Sequence, residues 1–368
     1  MKINLNKNDE KSLDEILNQK DMNCSVSELN NRFLDESFDT IDEKGINELK
    51  KKEGTTNNDA MKEAFFQILG LSDDDPEIEE MEDKCSFGKI EELDSSFYQS
   101  YPFNNLPIKE ISLGSYKLGY NYFEPYEIFN DEDTLGDEEC NFSERTHLGY
   151  FTSKVKYLML LQNNEIWMSI TPHEIHTMKP YVKKAKGNVL TFGLGLGYYA
   201  YEVSNKEEVN SVTIIEKDNK VIQLFNKNIL PLFPHKEKIR IIHEDAFLYY
   251  ERDMKKEDYN TIFVDIYHTA SDALSLYMRF KKNERKLTDI KVDYWIEESI
   301  LCLLRRYILT LIEEYYQGYQ EKDYLEPYDE ESEILLSLFK KLKNMTFNNI
   351  DEIKCLLSNN GLISLLEE

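Results

Sequence analysis

From Gly187 onward, short apolar runs alternate with segments of helical spacing. Residues 188–192, 211–215, 239–243 and 261–264 are nearly continuous apolar runs of strand length. Segments 198–205, 218–229, 246–251 and 272–280 follow them in turn and carry helical patterns. That alternation predicts βαβ units around a buried parallel sheet, with right-handed crossovers. A fifth strand is expected at 292–296. A helix is expected at 298–314, where Leu301, Leu304, Ile308 and Leu311 share one stripe that faces the core or a second copy of the chain. Residues 329–342 and 350–357 are helical by the same test.

The period differs upstream. Residues 157–161 and 166–170 flank Gln162-Asn163-Asn164-Glu165 and read as a β-hairpin. Apolar positions also alternate over 117–123, and 171–182 reads as a helix with Pro172 in its first turn. Residues 1–95 read as short helices between polar breaks. The clearest is 59–69, where Met61, Phe65, Ile68 and Leu69 fall on one face and Gly70 offers a stop. The acidic stretch 72–83 reads as a linker or flexible surface segment. The expected organisation is an acidic helical region (1–105), a β-rich subdomain with a hairpin (106–186), a Rossmann-like domain (187–314) and a helical extension (315–368). The fold class is therefore α/β, with a mostly parallel central sheet.

Charge narrows the function. The 368 residues carry a net charge of -26, with acidic runs such as Asp73-Asp74-Asp75 and Glu79-Glu80. A field of that sign repels phosphate backbones and anionic membrane surfaces, so neither is an expected partner. None of the five cysteines stands at Cys-x-x-Cys spacing. Reduced thiols and a cytoplasmic setting are expected. The start of the chain shows no apolar signal core, and no stretch approaches the roughly 20 apolar residues of a membrane span.

Candidate chemistry gathers at the ends of the predicted strands. Val189-Leu190-Thr191-Phe192 leads into Gly193-Leu194-Gly195-Leu196-Gly197 and then a helix. Glycines there allow a tight turn and a close approach of ligand to main chain. Glu216 ends the next strand, about 20 residues on, where an acid can accept hydrogen bonds from ribose hydroxyls. Asp245 and Asp265 end the third and fourth strands. Tyr267 and His268 adjoin Asp265 as acid–base or packing residues. His173 and His176 have His-x-x-His spacing, but the sequence offers no convincing partner ligands, and no metal site is expected. Arg305 and Arg306 read as surface partners of nearby carboxylates.

Gly193-Leu-Gly-Leu-Gly197, Glu216-Lys-Asp218, Glu244-Asp245-Ala246-Phe247 and Val264-Asp265-Ile266-Tyr267-His268 resemble the successive motifs of class I S-adenosylmethionine-dependent methyltransferases. The spermidine synthase-like branch is the nearest in pattern. Its members usually carry an apolar residue where many methyltransferases have an acid, at the place of Thr191 here, and have a small β-rich domain in front. Residues before about Ile108 and after about Ile312 carry no part of the resemblance.

The resemblance implies S-adenosylmethionine, or its decarboxylated form, as cofactor. Gly193, Gly195 and Gly197 would face the methionine part and ribose, Glu216 would hold the ribose hydroxyls, and Asp245 with the main chain of Ala246 would hold the adenine. Asp265 aligns with the acid that helps deprotonate an attacking amine, and His268 is a second catalytic candidate. His268 also stands where aminopropyltransferases usually have a second acid, and Trp167 stands where their hairpin brings a Gln. The final strand pair of a full methyltransferase sheet is not expected. Methyl transfer to a small-molecule or protein acceptor leads, followed by aminopropyl transfer to a polyamine, and then by a non-catalytic nucleotide-binding or scaffold role.

Overall fold

The computed structural model describes residues 1–35, 41–72, 74–255, 258–284, 290–324, 327 and 329–367. Asp73 of the acidic triplet lies outside them. After a two-residue strand (Lys2–Ile3) paired with Thr346–Phe347, the chain forms α1 (Lys7–Asp35), one long helix where several short ones were expected. Its inward stripe mixes Leu13, Ile16 and Val26 with buried Gln19, Lys20, Asn23 and Asn30. Most of those polar groups find partners, although Asn30 Oδ1 has no hydrogen-bond partner among the described residues. Asn23 donates to Phe142 O (2.9 Å) and accepts from Glu144 N (3.1 Å), and Lys20 pairs with Glu313 at 2.6 Å.

Three further helices follow: α2 (Glu43–Glu53), α3 (Asn57–Leu69) and α4 (Pro76–Cys85). Thr56 and Asp59 close a capping box on α3. The acidic segment read as a linker is largely α4. Asp75 caps it, Pro76 occupies its first turn, and Ile78, Met81 and Cys85 are buried. Apolar residues at one-turn intervals anchor it, while its charges face solvent. These helices share a second core with Tyr126, Ile128, Leu148 and Tyr150, so that core crosses residue 105.

An antiparallel sheet follows, built from β1 (Ile111–Leu113), β2 (Tyr116–Phe123), β3 (Val155–Gln162) and β4 (Glu165–Ser169) in the order β4-β3-β2-β1. Asn163 and Asn164 lie at φ 56° and 71°, the left-handed pair that a two-residue hairpin turn demands. Then α5 (Pro172–Lys184) runs on past Pro180.

The parallel sheet comprises β5 (Gly187–Phe192), β6 (Val209–Glu216), β7 (Ile239–His243), β8 (Thr261–Val264) and β9 (Val292–Tyr294). Its order is β7-β6-β5-β8-β9, and every pairing is parallel. Helices α6 (Tyr198–Ser204), α7 (Asn219–Asn228) and α8 (Ala270–Glu284) lie between successive strands. The fold is thus mixed α/β, compatible with a Rossmann-like sheet. Among the described residues no further strand joins this sheet.

The helix α9 (Glu297–Tyr316) buries the expected stripe. It is followed by α10 (Glu330–Leu342), α11 (Ile350–Leu357) and α12 (Asn359–Glu367). Arg305 and Arg306 are not surface partners of loose carboxylates. Arg305 is 2% exposed and donates from Nε to Leu357 O (2.8 Å) and from Nη2 to Asn359 Oδ1 (2.7 Å), which ties α9 to α11 and α12. Arg306 pairs with buried Glu144. Replacing Arg305 with Ala is expected to cost about 3 kcal/mol, because it orphans those buried acceptors and leaves a void. Urea melts check this value. All five cysteines are free thiols, and no helix among the described residues is long and apolar enough to cross a membrane.

Candidate functional site

Strand order locates the site. From β5 the chain adds β6 and β7 on one side, then returns to add β8 and β9 on the other. Open parallel sheets hold ligands at such a reversal, outside the carboxyl ends of the strands. A cavity of about 590 Å³ lies there. Gly193, Gly195, Glu216, Asp245, Ala246 and Asp265 line it from the sheet side. The hairpin contributes Trp167, and α5 contributes Glu174.

The glycines divide their work. Gly193 has φ 94°, and a Cβ there would lie 1.7 Å from Asp265 O, so the turn packs directly on the end of β8. Gly195 has φ 53°, and its Cβ would meet nothing within 4 Å. Open space in front of that backbone is what a closely approaching ligand needs. Gly197 does not line the cavity. Its missing side chain makes room for the Phe225 ring, 2.3 Å from a Cβ, and so for α6 on α7.

The acids are held by main chain. Glu216 is 8% exposed and accepts from Leu194 N (3.2 Å) and Asp218 N (2.7 Å), which fixes the glycine turn against the end of β6. Burial raises its pKa. Each oxygen retains a lone pair for a further donor. Asp245 Oδ1 accepts from Phe247 N and Leu248 N, both at 3.0 Å, and no hydrogen bond among the described residues engages Oδ2. Asp218 caps α7 and accepts from Tyr116 Oη (2.5 Å), which bolts the antiparallel sheet to the rim.

Asp265 makes no side-chain hydrogen bond among the described residues. Burial, and then the nearby charge of Glu216, push its pKa up to about 7. Glu174 was not singled out in the sequence, yet α5 delivers it to the same cavity. Burial, and then the charge of Asp265, raise its pKa well above the usual carboxylate range. Two acids sharing one cavity resist double ionisation, and each raises the cost of charging the other.

His268 is exposed but lines the cavity mouth, with its ring centroid 6.4 Å from that of Trp167. Tyr267 is a packing residue: its hydroxyl is buried and donates to Trp295 O at 2.7 Å. Trp167 sits at a break in register between β3 and β4, a bulge that re-aims a side chain at a sheet rim. Tyr199 also lines the cavity, and its buried hydroxyl has no hydrogen-bond partner among the described residues.

The fold therefore brings Gly193, Gly195, Glu216, Asp245, Ala246, Asp265 and His268 to one cavity, and sets Gly197 aside in a packing role. The lining carries Glu174, Glu216, Asp245 and Asp265 against Lys217. A cationic ligand suits that balance. No protein-family model matches the chain, and no curated protein matches it significantly.

Proposed function

We propose that the protein is a class I-type, spermidine synthase-like transferase that uses S-adenosylmethionine and moves its methyl group to a small-molecule or protein acceptor. One observation carries this reading: Gly195 backbone, Glu216, Asp245 and Asp265 converge on a single open cavity at the sheet's reversal point. Glu216 would receive the ribose hydroxyls on its spare lone pairs. Asp245 Oδ2 and the main chain of Ala246 would receive the adenine edge. The open space before Gly195 would admit the nucleoside. When bound, the cofactor supplies a carbon activated by its sulfonium. The protein's task is then alignment and proton removal. Asp265, with a pKa near 7, binds an amine acceptor as a carboxylate and takes its proton as the nitrogen attacks.

A second reading is transfer of an aminopropyl group from the decarboxylated cofactor to a polyamine. The charge of the cavity favours it, because one lysine faces four acids and the methionine carboxylate would find few partners.

Thermal denaturation separates the readings. S-adenosylhomocysteine at about 100-fold above its Kd is expected to stabilise the fold by about 2.7 kcal/mol. Methylthioadenosine, the product of aminopropyl transfer, is expected to shift the melt less. The reverse order establishes the second reading. No shift with either nucleoside leaves a non-catalytic scaffold.

A further inference from the structure

A second group of titratable side chains lies in the β-rich subdomain, beside α5 and away from the cavity. Asp131 follows the short strand Ile128–Asn130 and is 1% exposed. Asp131, Glu132 and His147 each place a donor atom within 4.8 Å of the other two. His147 Nδ1 lies 3.4 Å from Asp131 Oδ2, and its Nε2 lies 3.2 Å from Glu91 Oε2. On the far side, His176 Nδ1 is 3.0 Å from Asp131 Oδ1, and its Nε2 is 2.6 Å from Tyr98 Oη. Despite this crowding, Asp131 Oδ1, His147 Nδ1 and His176 Nδ1 are buried without a well-formed hydrogen bond.

The spacing explains the arrangement. A carboxylate only accepts, so His147 Nε2 carries a proton to face Glu91. Nδ1 stands 3.4 Å from Asp131 Oδ2, long for a direct hydrogen bond and suited to two ligands on one small cation, with Glu132 within reach of both. Ligating histidines commonly give their other nitrogen to a carboxylate, as His147 does to Glu91, and His176 Nδ1 stands 3.0 Å behind the ligating carboxylate of Asp131.

We infer that Asp131, Glu132 and His147 Nδ1 bind one divalent transition-metal ion, zinc by the nature of the donors. Imidazole with two carboxylates suits zinc and leaves a fourth position for water, whereas calcium and magnesium prefer oxygen-only sets. The ion's role is structural. It fixes the loop on which His176 leans, and His176 shares α5 with Glu174, which reaches the cavity. The inference does not depend on the identity of the ligand in that cavity.

The test uses the full chain, stripped with a chelator and titrated with zinc chloride alone. One ion per chain is expected, with a rise in Tm and release of protons as binding strengthens at higher pH. Magnesium and calcium are expected to leave Tm unchanged. Glu132 is exposed, so E132Q should keep the metal-free Tm and weaken zinc binding by at least ~10-fold. E91Q, behind the ring, should weaken it by about 10–100-fold. Absence of saturable zinc binding, or binding that neither substitution alters, overturns the site and leaves His147 as an imidazolium paired with Asp131.

Discussion

Asp265→Asn is expected to slow group transfer by about 10²–10⁴-fold, the usual reach of a positioned general base. The same variant is expected to be more stable than the parent at pH 8. The reason is the raised pKa, about 7 in the folded chain, caused by burial and then by Glu216. The unfolded carboxyl ionises near its ordinary value of 3.8. Between those values the unfolded state has lost a proton that the folded state keeps, so stability falls as pH rises through the window and levels off above it. Ionised Asp265 therefore opposes folding at pH 8, by an amount of order 2–4 kcal/mol. Asparagine keeps the shape and removes the charge. The stability gap between variant and parent should close as pH falls toward 4. Transfer by the parent should rise with pH through about 7 as the base forms. Melts and single-turnover rates across this range check both. A variant that keeps full rate, or is less stable at pH 8, contradicts the assigned role.

Gly193→Ala and Gly195→Ala are expected to fail in opposite ways, although the positions are two residues apart. At Gly193 a methyl would collide with Asp265 O, 1.7 Å away, with φ at 94°. The strand end must move, at an expected cost above ~3 kcal/mol, and the chain should be largely unfolded or insoluble. At Gly195 the methyl meets nothing within 4 Å. There the cost is the left-handed backbone alone, about 1–2 kcal/mol, and the protein should fold. Its methyl, however, would stand in the space meant for the nucleoside, so affinity for S-adenosylhomocysteine should be lost. Urea melts and calorimetry on the two variants test the division of labour.

The parts of the fold set by local physics were legible in the sequence. The central parallel strands β5, β6 and β8 are buried over most of their length and so read as apolar runs, and the hairpin announced itself through Asn163-Asn164. Helix α1 was not legible as one unit because its inward stripe includes Gln19, Lys20, Asn23 and Asn30, whose hydrogen bonds are set by distant partners. In α4 three apolar positions are outnumbered by charges. At the site, Gly195, Glu216, Asp245 and Asp265 were found because strand ends in a parallel sheet converge wherever the sheet forms. Glu174 and Tyr199 could not be found that way. Glu174 reaches the cavity through the packing of α5 against the sheet, and Tyr199 through the seating of α6. His176 likewise meets Asp131, 45 positions earlier, only through tertiary packing.

The most direct test is a crystal structure of the chain grown with S-adenosylhomocysteine. The proposed site would hold the ribose hydroxyls on Glu216, the adenine amine on Asp245 Oδ2, and the sulfur before Gly195 with Asp265 across from it. Nucleoside density elsewhere on the protein, or a cavity that stays filled only by solvent at saturating ligand, contradicts it.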